Sequence, residues 1–290
     1  MSTAPTASVE TVSFEGADGV QLRAAVRGDP GGPAVVFLHG GGQTRHAWGG
    51  TADALARDGR RTVCLDLRGH GESDRAPRDS SYRLERFAAD LHAVLAEFDP
   101  APALVGASLG GLTILLSAGE TERPITPAAV LVDIAPRIEA KGAERIIAFM
   151  KSRPDGYESL EEAADAIADY TRQRRRAHDL DSLAKNLRCD ADGRYRWHWD
   201  PRFMGPEGPA EIADPSRLFR AARRLDTPTL LVRGRESDVL SEEGVREFLD
   251  HLPRGEFVDV GGAGHMVAGD RNDAFTRAVR DFLDRTIPVG

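Results

Sequence analysis

Cysteine is almost missing from this chain: 290 residues carry two, Cys64 and Cys189. Neither has a second cysteine or a metal-ligand spacing nearby, so a disulfide framework is excluded and both read as plain thiols, buried or half-buried. Positive charge is also short. Lysine and arginine total 38 against 46 aspartates and glutamates, a formal charge of −8, which argues against a nucleic-acid binder or a protein drawn to anionic membranes. No apolar run approaches the roughly 18–20 residues of a membrane span. The first nine residues, MSTAPTASV, lack a basic start followed by an apolar stretch, so they read as a frayed tail and not a secretory signal. The expectation is a cytoplasmic protein with one main domain.

What remains is average for a globular chain, 41% hydrophobic and 29% charged, with enough length for an unstapled core. Short apolar runs alternate with helical patterns at both ends. Residues 11–14 and 20–26 flank a Gly/Asp turn and predict a hairpin. Strands are predicted at 34–38 (AVVFL), 62–67 (TVCLDL), 103–105, 128–134 (AAVLVDI), 229–233 (TLLVR) and 256–260. Between them the spacing predicts helices over 48–58, 82–98, 112–119, 242–252 and 274–286. Strands alternating with helices imply right-handed crossovers and a mostly parallel, doubly wound α/β sheet. Residues 137–225 break this rhythm with helical patterns over 144–151, 160–173 and 179–187, and no strong strand run among them. We therefore expect a core of 1–136 and 226–290, with 137–225 a mainly helical cap inserted between two strands.

The chemistry concentrates where strands end. Gly106-Ala107-Ser108-Leu109-Gly110 follows one strand and opens a helix. A tight turn there would push the serine Oγ out above the sheet, and flanking glycines make room for it. His39-Gly40-Gly41-Gly42 follows AVVFL, and its glycines can bring backbone N–H groups to a developing oxyanion. The expected donors are the amides of Gly41 and Leu109. The rival reading, a phosphate-cradling loop, lacks both G-K-[ST] and G-x-G-x-x-G. Asp238 lies in the loop after TLLVR, and His265 ends Gly262-Ala263-Gly264-His265 after the last strand. Both stand at the sheet edge where such folds place working groups.

Together these motifs, with residues 66–73 (DLRGHGES) and 237–241 (SDVLS), mark a chain that resembles the α/β-hydrolase fold family over almost its whole length. Within that family it looks like the cofactor-free serine esterases related to non-haem haloperoxidases and epoxide-hydrolase-like proteins. The resemblance implies Ser108 as nucleophile, His265 as base, Asp238 as orienting acid, and Gly41 and Leu109 as oxyanion donors, in the family's chain order of serine, acid, histidine. It implies neither metal nor cofactor. Asp133, ending AAVLVDI, is the rival acid, because some members carry theirs after that earlier strand. Asp238 is preferred because its loop matches the common pattern. Two departures stand out: a serine where epoxide hydrolases have an aspartate nucleophile, which sides with acyl chemistry, and Gly41-Gly42 where several relatives have H-G-x-P. Asp66, Arg68 and His70 are read as structural support under the site.

The expected substrate is a small carboxylic ester or lactone, with activity falling below about pH 6–7 as the base protonates. Carbon–carbon cleavage or acyl transfer by the same residues is an alternative reaction, and a non-catalytic ligand receptor an alternative role. Aromatics make up only 6% of the chain, so their clustering at 195–203 stands out. Trp197 and Trp199, with Trp48 and Met266, are the candidate pocket residues, and the cluster also reads as the cap's own small core. Arg172, Arg174, Arg175 and Arg176 read as a solvated helix end.

Overall fold

The computed structural model of the chain describes residues 8–170, 180–206, 208–209, 214–270 and 272–290. Its centre is an eight-stranded sheet of β1 (Glu10–Glu15), β2 (Gln21–Arg27), β3 (Ala34–Leu38), β4 (Arg61–Leu65), β5 (Ala103–Ala107), β6 (Ala129–Val132), β9 (Thr229–Gly234) and β10 (Gly255–Val260). The order is β1-β2-β4-β3-β5-β6-β9-β10. The hairpin β1–β2 is antiparallel, and so is the pairing of β2 with β4. All later pairings are parallel. Central strands read as unbroken apolar runs because both faces are covered: every residue of β6 and β9 is buried.

The covering helices divide the core in two. On one face α2 (Leu84–Leu95), α3 (Leu109–Gly119), α7 (Pro215–Arg224) and α8 (Glu242–Leu249) bury side chains such as Phe87, Ile114, Leu218 and Phe248 against Val36, Leu104 and Leu131. On the other, α1 (Gly49–Arg57) and α10 (Asn272–Thr286) meet Val35, Val105 and Val130 through Leu55, Phe275 and Phe282. No helix among the described residues is long and apolar enough to cross a membrane.

The insertion between β6 and β9 holds α4 (Ala140–Lys151), α5 (Leu160–Tyr170), α6 (Leu180–Ala184), and a small antiparallel pair, β7 (Leu187–Cys189) and β8 (Tyr195–Trp197). The helix expected over 179–187 is present as α6 but stops at Ala184, and the strand pair that follows was not marked by any strong strand run. Its strands are three residues long, and they are joined by a turn in which Gly193 has φ +76°. Trp197 and Tyr157 pack edge to face, 5.7 Å between ring centres, over Ala163 and Leu183. Helix α7 also went unpredicted. Its sequence, PSRLFRAARR, is polar overall, but Asp214 caps it by accepting from Ser216 N and Pro215 opens it. The arginine run at 172–176 lies outside the described residues.

A buried ion pair braces the segment beneath the site. Arg68, with no exposed side-chain surface, binds Asp90 through Nε at 2.6 Å and Nη2 at 2.7 Å, and reaches Asp18 at 3.2 Å. The bidentate pair ties the 66–73 segment to α2, consistent with a supporting role for that segment. Removing one partner of such a pair strands a buried charge. Asp90→Ala should therefore lower the unfolding free energy by about 3–5 kcal/mol, read as a reduced urea midpoint at unchanged slope.

Candidate active site

Ser108 stands on the sharp turn between β5 and α3 with φ 46°, ψ −114°, a strained conformation for a residue with a Cβ. The turn closes because the neighbouring chain is thin. A Cβ on Gly106 would lie 2.5 Å from the carbonyl carbon of Gly110, and one on Gly110 would lie 2.3 Å from the Leu38 carbonyl oxygen. These glycines let α3 pack onto the ends of β3 and β5, and Gly110 N donates to His39 O. Helix α3 begins at Leu109, so the Leu109 amide is one of the unpaired donors at its N-terminus.

Two neutral histidines hold the glycine loop beside Ser108. His39 Nε2 accepts from Leu67 N at 3.0 Å, which leaves its Nδ1 to donate to Gly40 O at 2.7 Å. His70 Nε2 accepts from Gly42 N at 3.1 Å while its Nδ1 donates to Arg68 O at 3.0 Å. Gly40 N goes to Gln43 Oε1 at 2.9 Å. Burial pushes His39 down to about 4 and His70 down to about 3, so each keeps one acceptor nitrogen for a backbone N–H at neutral pH. Among the described residues the amides of Gly41 and Leu109 have no hydrogen-bond acceptor. The loop lies against Ser108: a Cβ on Gly40 would be 3.4 Å from the serine Cβ.

His265 follows β10 in the loop before α9 (Val267–Asp270). Its Nδ1 is 2.7 Å from Oδ2 of Asp133, not of Asp238. This corrects the expected acid. Asp133 is the first residue beyond β6 and, at φ 49°, it turns its carboxylate into the sheet edge, where it has no exposed surface. There it also accepts from Gly234 N at 3.1 Å and Ser237 Oγ at 2.6 Å. Asp238 sits four residues past the end of β9 and faces the other way, to Nη2 of Arg145 on α4 at 2.7 Å, with over a third of its side chain exposed. Helix α4 is seated on this loop. Glu139 N donates to Val239 O, and a Cβ on Gly142 would be 2.2 Å from the Asp238 carbonyl oxygen.

Ser108 and His265 thus sit at the C-terminal ends of strands in one parallel run, with Asp133 bonded to the histidine. Ser108 Oγ and His265 Nε2 make no hydrogen bond to each other in the described residues; such contacts are often loose before substrate arrives. Of the expected pocket residues, Trp48 is corrected. It is 1% exposed and packs between Phe37 and Phe275 at 5.3 and 5.9 Å, because the short 3-10 turn ending at Trp48 carries it into the core beneath the loop. Trp197 and Trp199 stack at 5.2 Å. Trp199 lies nearer the site: its ring is 3.3 Å from the Cβ position of Gly42, and Met150 Cε 2.9 Å from it. Phe203 stands 3.1 Å from the corresponding point on Gly41. Met266 is half-buried beside His265. Phe203 belongs to the aromatic cluster at 195–203 and Ser237 opens the 237–241 motif, whereas nothing in the sequence context of Met150 marks it.

The geometry is that of a strained serine and a carboxylate-bound histidine at the edge of a doubly wound sheet. Comparison with known proteins agrees. Residues 33–271 match the family model described as alpha/beta hydrolase fold, and the chain belongs to that family. It is 31% identical over 264 residues to the mouse sn-1-specific diacylglycerol lipase ABHD11, covering 88% of this chain and 82% of that one. It is 30% identical to esterase Rv0045c of Mycobacterium tuberculosis, covering 90% and 86%. Among solved structures, an alpha/beta hydrolase from Novosphingobium aromaticivorans superposes with a TM-score of 0.82 at 26% identity, over 97% of this chain and all of the other.

The buried histidines make stability depend on acid. Both rings are held below the ordinary 6.5, so the unfolded chain binds protons that the folded chain refuses. Stability should be intact above pH 6.5 and decline as pH falls toward 4, by about 3 kcal/mol for each ring. Urea midpoints measured across that range check this, and His70→Asn should flatten the curve.

Proposed function

We propose that the protein is a serine hydrolase of carboxylic esters, lactones included, working through an acyl-enzyme with Ser108 as nucleophile, His265 as base and Asp133 as orienting acid. The observation that carries this reading is the 2.7 Å bond between His265 Nδ1 and a fully buried Asp133, with the one serine of positive φ among the described residues standing just past the strand beside β6. A carboxylate on Nδ1 holds the imidazole with Nε2 free to take a proton, and it stabilises the imidazolium that forms. His265 takes the Ser108 hydroxyl proton as Oγ bonds to the ester carbonyl carbon. The carbonyl oxygen gains the charge and accepts from the amides of Gly41 and Leu109. The carbon–oxygen bond then breaks, the alcohol leaves with the proton from His265, and water repeats the sequence to release the acid.

His70 and Gln43 have a defined part in this scheme. By engaging Gly42 N and Gly40 N they leave Gly41 N as the loop's open donor. The insertion acts as a cap, and Met150, Trp199 and Phe203 bring its apolar surface against the same loop. The relatives' names, an esterase and a diacylglycerol lipase, support ester bonds as the target and an apolar limb on the substrate.

The test is turnover of p-nitrophenyl acetate, butyrate and octanoate, with intact-mass detection of a phosphonate adduct. Wild type should turn over and label, and folded Ser108→Ala should do neither. Asp133→Asn should lose about 10³–10⁴ in kcat, whereas Asp238→Asn should stay within about threefold, its exposed ion pair being worth little. The reverse ranking would return the acid role to Asp238. Adduct without ester turnover would favour carbon–carbon cleavage or acyl transfer, and neither signal would favour a binding protein.

A further inference from the structure

We propose that Ser237 is a positioning residue for the acid–base pair, an inference that rests on the hydrolase reading above and deepens it. Ser237 lies in the loop after β9, and its hydroxyl is the hub of a small network. The oxygen accepts from Val239 N at 3.2 Å and from Leu240 N at 3.3 Å. A hydroxyl has two acceptor sites and a single proton. With both acceptor sites engaged by backbone amides, the proton has one direction left, and it points to Oδ2 of Asp133 at 2.6 Å. The hydroxyl is therefore not a free rotor. Its orientation is set by main chain, and the main chain of that loop is closed by Ser237 N donating to Gly234 O at 2.9 Å.

Oδ2 is the same oxygen that receives His265 Nδ1–H. Oδ1 is held separately by Gly234 N. Three donors from two loops thus fix all the rotational freedom of a carboxylate that has no contact with solvent. Ser237 does two things here. It stops the carboxylate turning about its own axis, so that the imidazole is aimed. It also shares the charge on Oδ2, so that the histidine bond is neither lost nor overtightened. The neighbouring residue explains why this loop does not supply the acid: Asp238 is turned outward to Arg145, and the loop contributes to the pair through a serine.

The experiment compares Ser237→Ala, Ser237→Cys and Ser237→Thr in the full chain, by steady-state ester kinetics and by proton NMR of the His265 Nδ1–H resonance, assigned by its loss in His265→Gln. Alanine removes the donor at the cost of one oxygen, cysteine keeps a weak donor of similar shape should the alanine variant fail to fold, and threonine keeps the hydroxyl. The expected result is a kcat about ten- to hundredfold lower in Ser237→Ala, the range for one hydrogen bond to a charged group. KM should change by less than about twofold, since ground-state binding is untouched. The resonance should move further downfield as His265 Nδ1–H becomes the one donor left on an Oδ2 of more concentrated charge. Cysteine should fall between, and threonine should recover most of kcat and the wild-type shift. An alanine variant with wild-type kcat and an unmoved resonance would overturn the proposal, and so would a threonine variant as impaired as alanine, which would mean packing alone. If wild type hydrolyses none of the esters, the hydrolase reading falls by itself. The resonance then decides alone: moved in Ser237→Ala, it upholds the orienting contact; unmoved, it overturns it.

Discussion

A carboxylate sealed from water is costly unless donors surround it, and Asp133 is such a group. Its solution is to gather N–H and O–H groups from two separate segments: Gly234 at the end of β9 with Ser237 just beyond it, and His265 after β10. Because β6, β9 and β10 are consecutive in the sheet, the one side chain knits three adjacent strand ends together. The positive φ at Asp133 turns the chain so that the side chain points inward, and the strain is supported by the Asp133 N to Val232 O bond at 2.7 Å. What looks like a local hydrogen bond is also the element that fixes the histidine relative to the sheet edge.

The serine side of the site follows a matching logic with different parts. There the fixed dipoles are backbone amides, and the holding groups are His39, His70 and Gln43. Desolvation keeps the two histidines neutral, so each presents one acceptor and one donor in a known order. A protonated ring would lose its acceptor and release Leu67 N or Gly42 N. Preorganised donors stabilise developing charge because they need not reorient during the reaction, and the neutral pair is what keeps the loop in that state. The charged residues beneath, Arg68 with Asp90 and Arg45 with Asp66 and Glu72, are one layer further out, where they brace the 66–73 segment and do not face the loop donors.

Much of this is legible in the residues alone. Apolar runs such as AVVFL and AAVLVDI reveal buried parallel strands directly, since a strand covered on both faces has no polar alternation to obscure it. Ser108 and His265 are legible because each sits on a glycine pattern with few other uses. The acid is not, because two aspartates follow two strands and the chain pattern says nothing about which way a side chain turns. That depends on one φ angle at Asp133 and on Arg145 being in place for Asp238, and Arg145 lies 93 positions away in sequence. The β7–β8 pair was hidden for a different reason. Strands of three residues bury too little to leave a period, and their pairing depends on the Trp197, Trp199 and Tyr157 rings that meet only in the fold. Trp48 shows the converse error: an aromatic beside a glycine loop suggests a pocket, but a four-residue 3-10 turn sends it inward.

The outward turn of Asp238 has a consequence for how the cap is held. Arg145 does not end at the carboxylate; its guanidinium lies 5.3 Å over the ring of Tyr170, which stacks on Phe149 at 4.3 Å. Phe149 in turn meets Trp197 edge to face at 6.0 Å, and Trp197 stacks on Trp199, whose ring lies against Gly42. A continuous line of contacts therefore runs from the loop that bonds Asp133, across α4 and the β7–β8 pair, to the glycine loop at 40–42. An exposed ion pair contributes little by itself, but one whose cation is also stacked, and whose neighbour Gly142 packs directly on the Asp238 carbonyl, defines a seat and not merely a contact. Asp238 and Ser237 are adjacent in the chain and face opposite ways, one to the cap and one to the acid. The insertion and the His265–Asp133 pair are thereby referred to the same short loop; under the proposed function, substrate fit at the insertion and proton transfer at His265 would share a single structural reference.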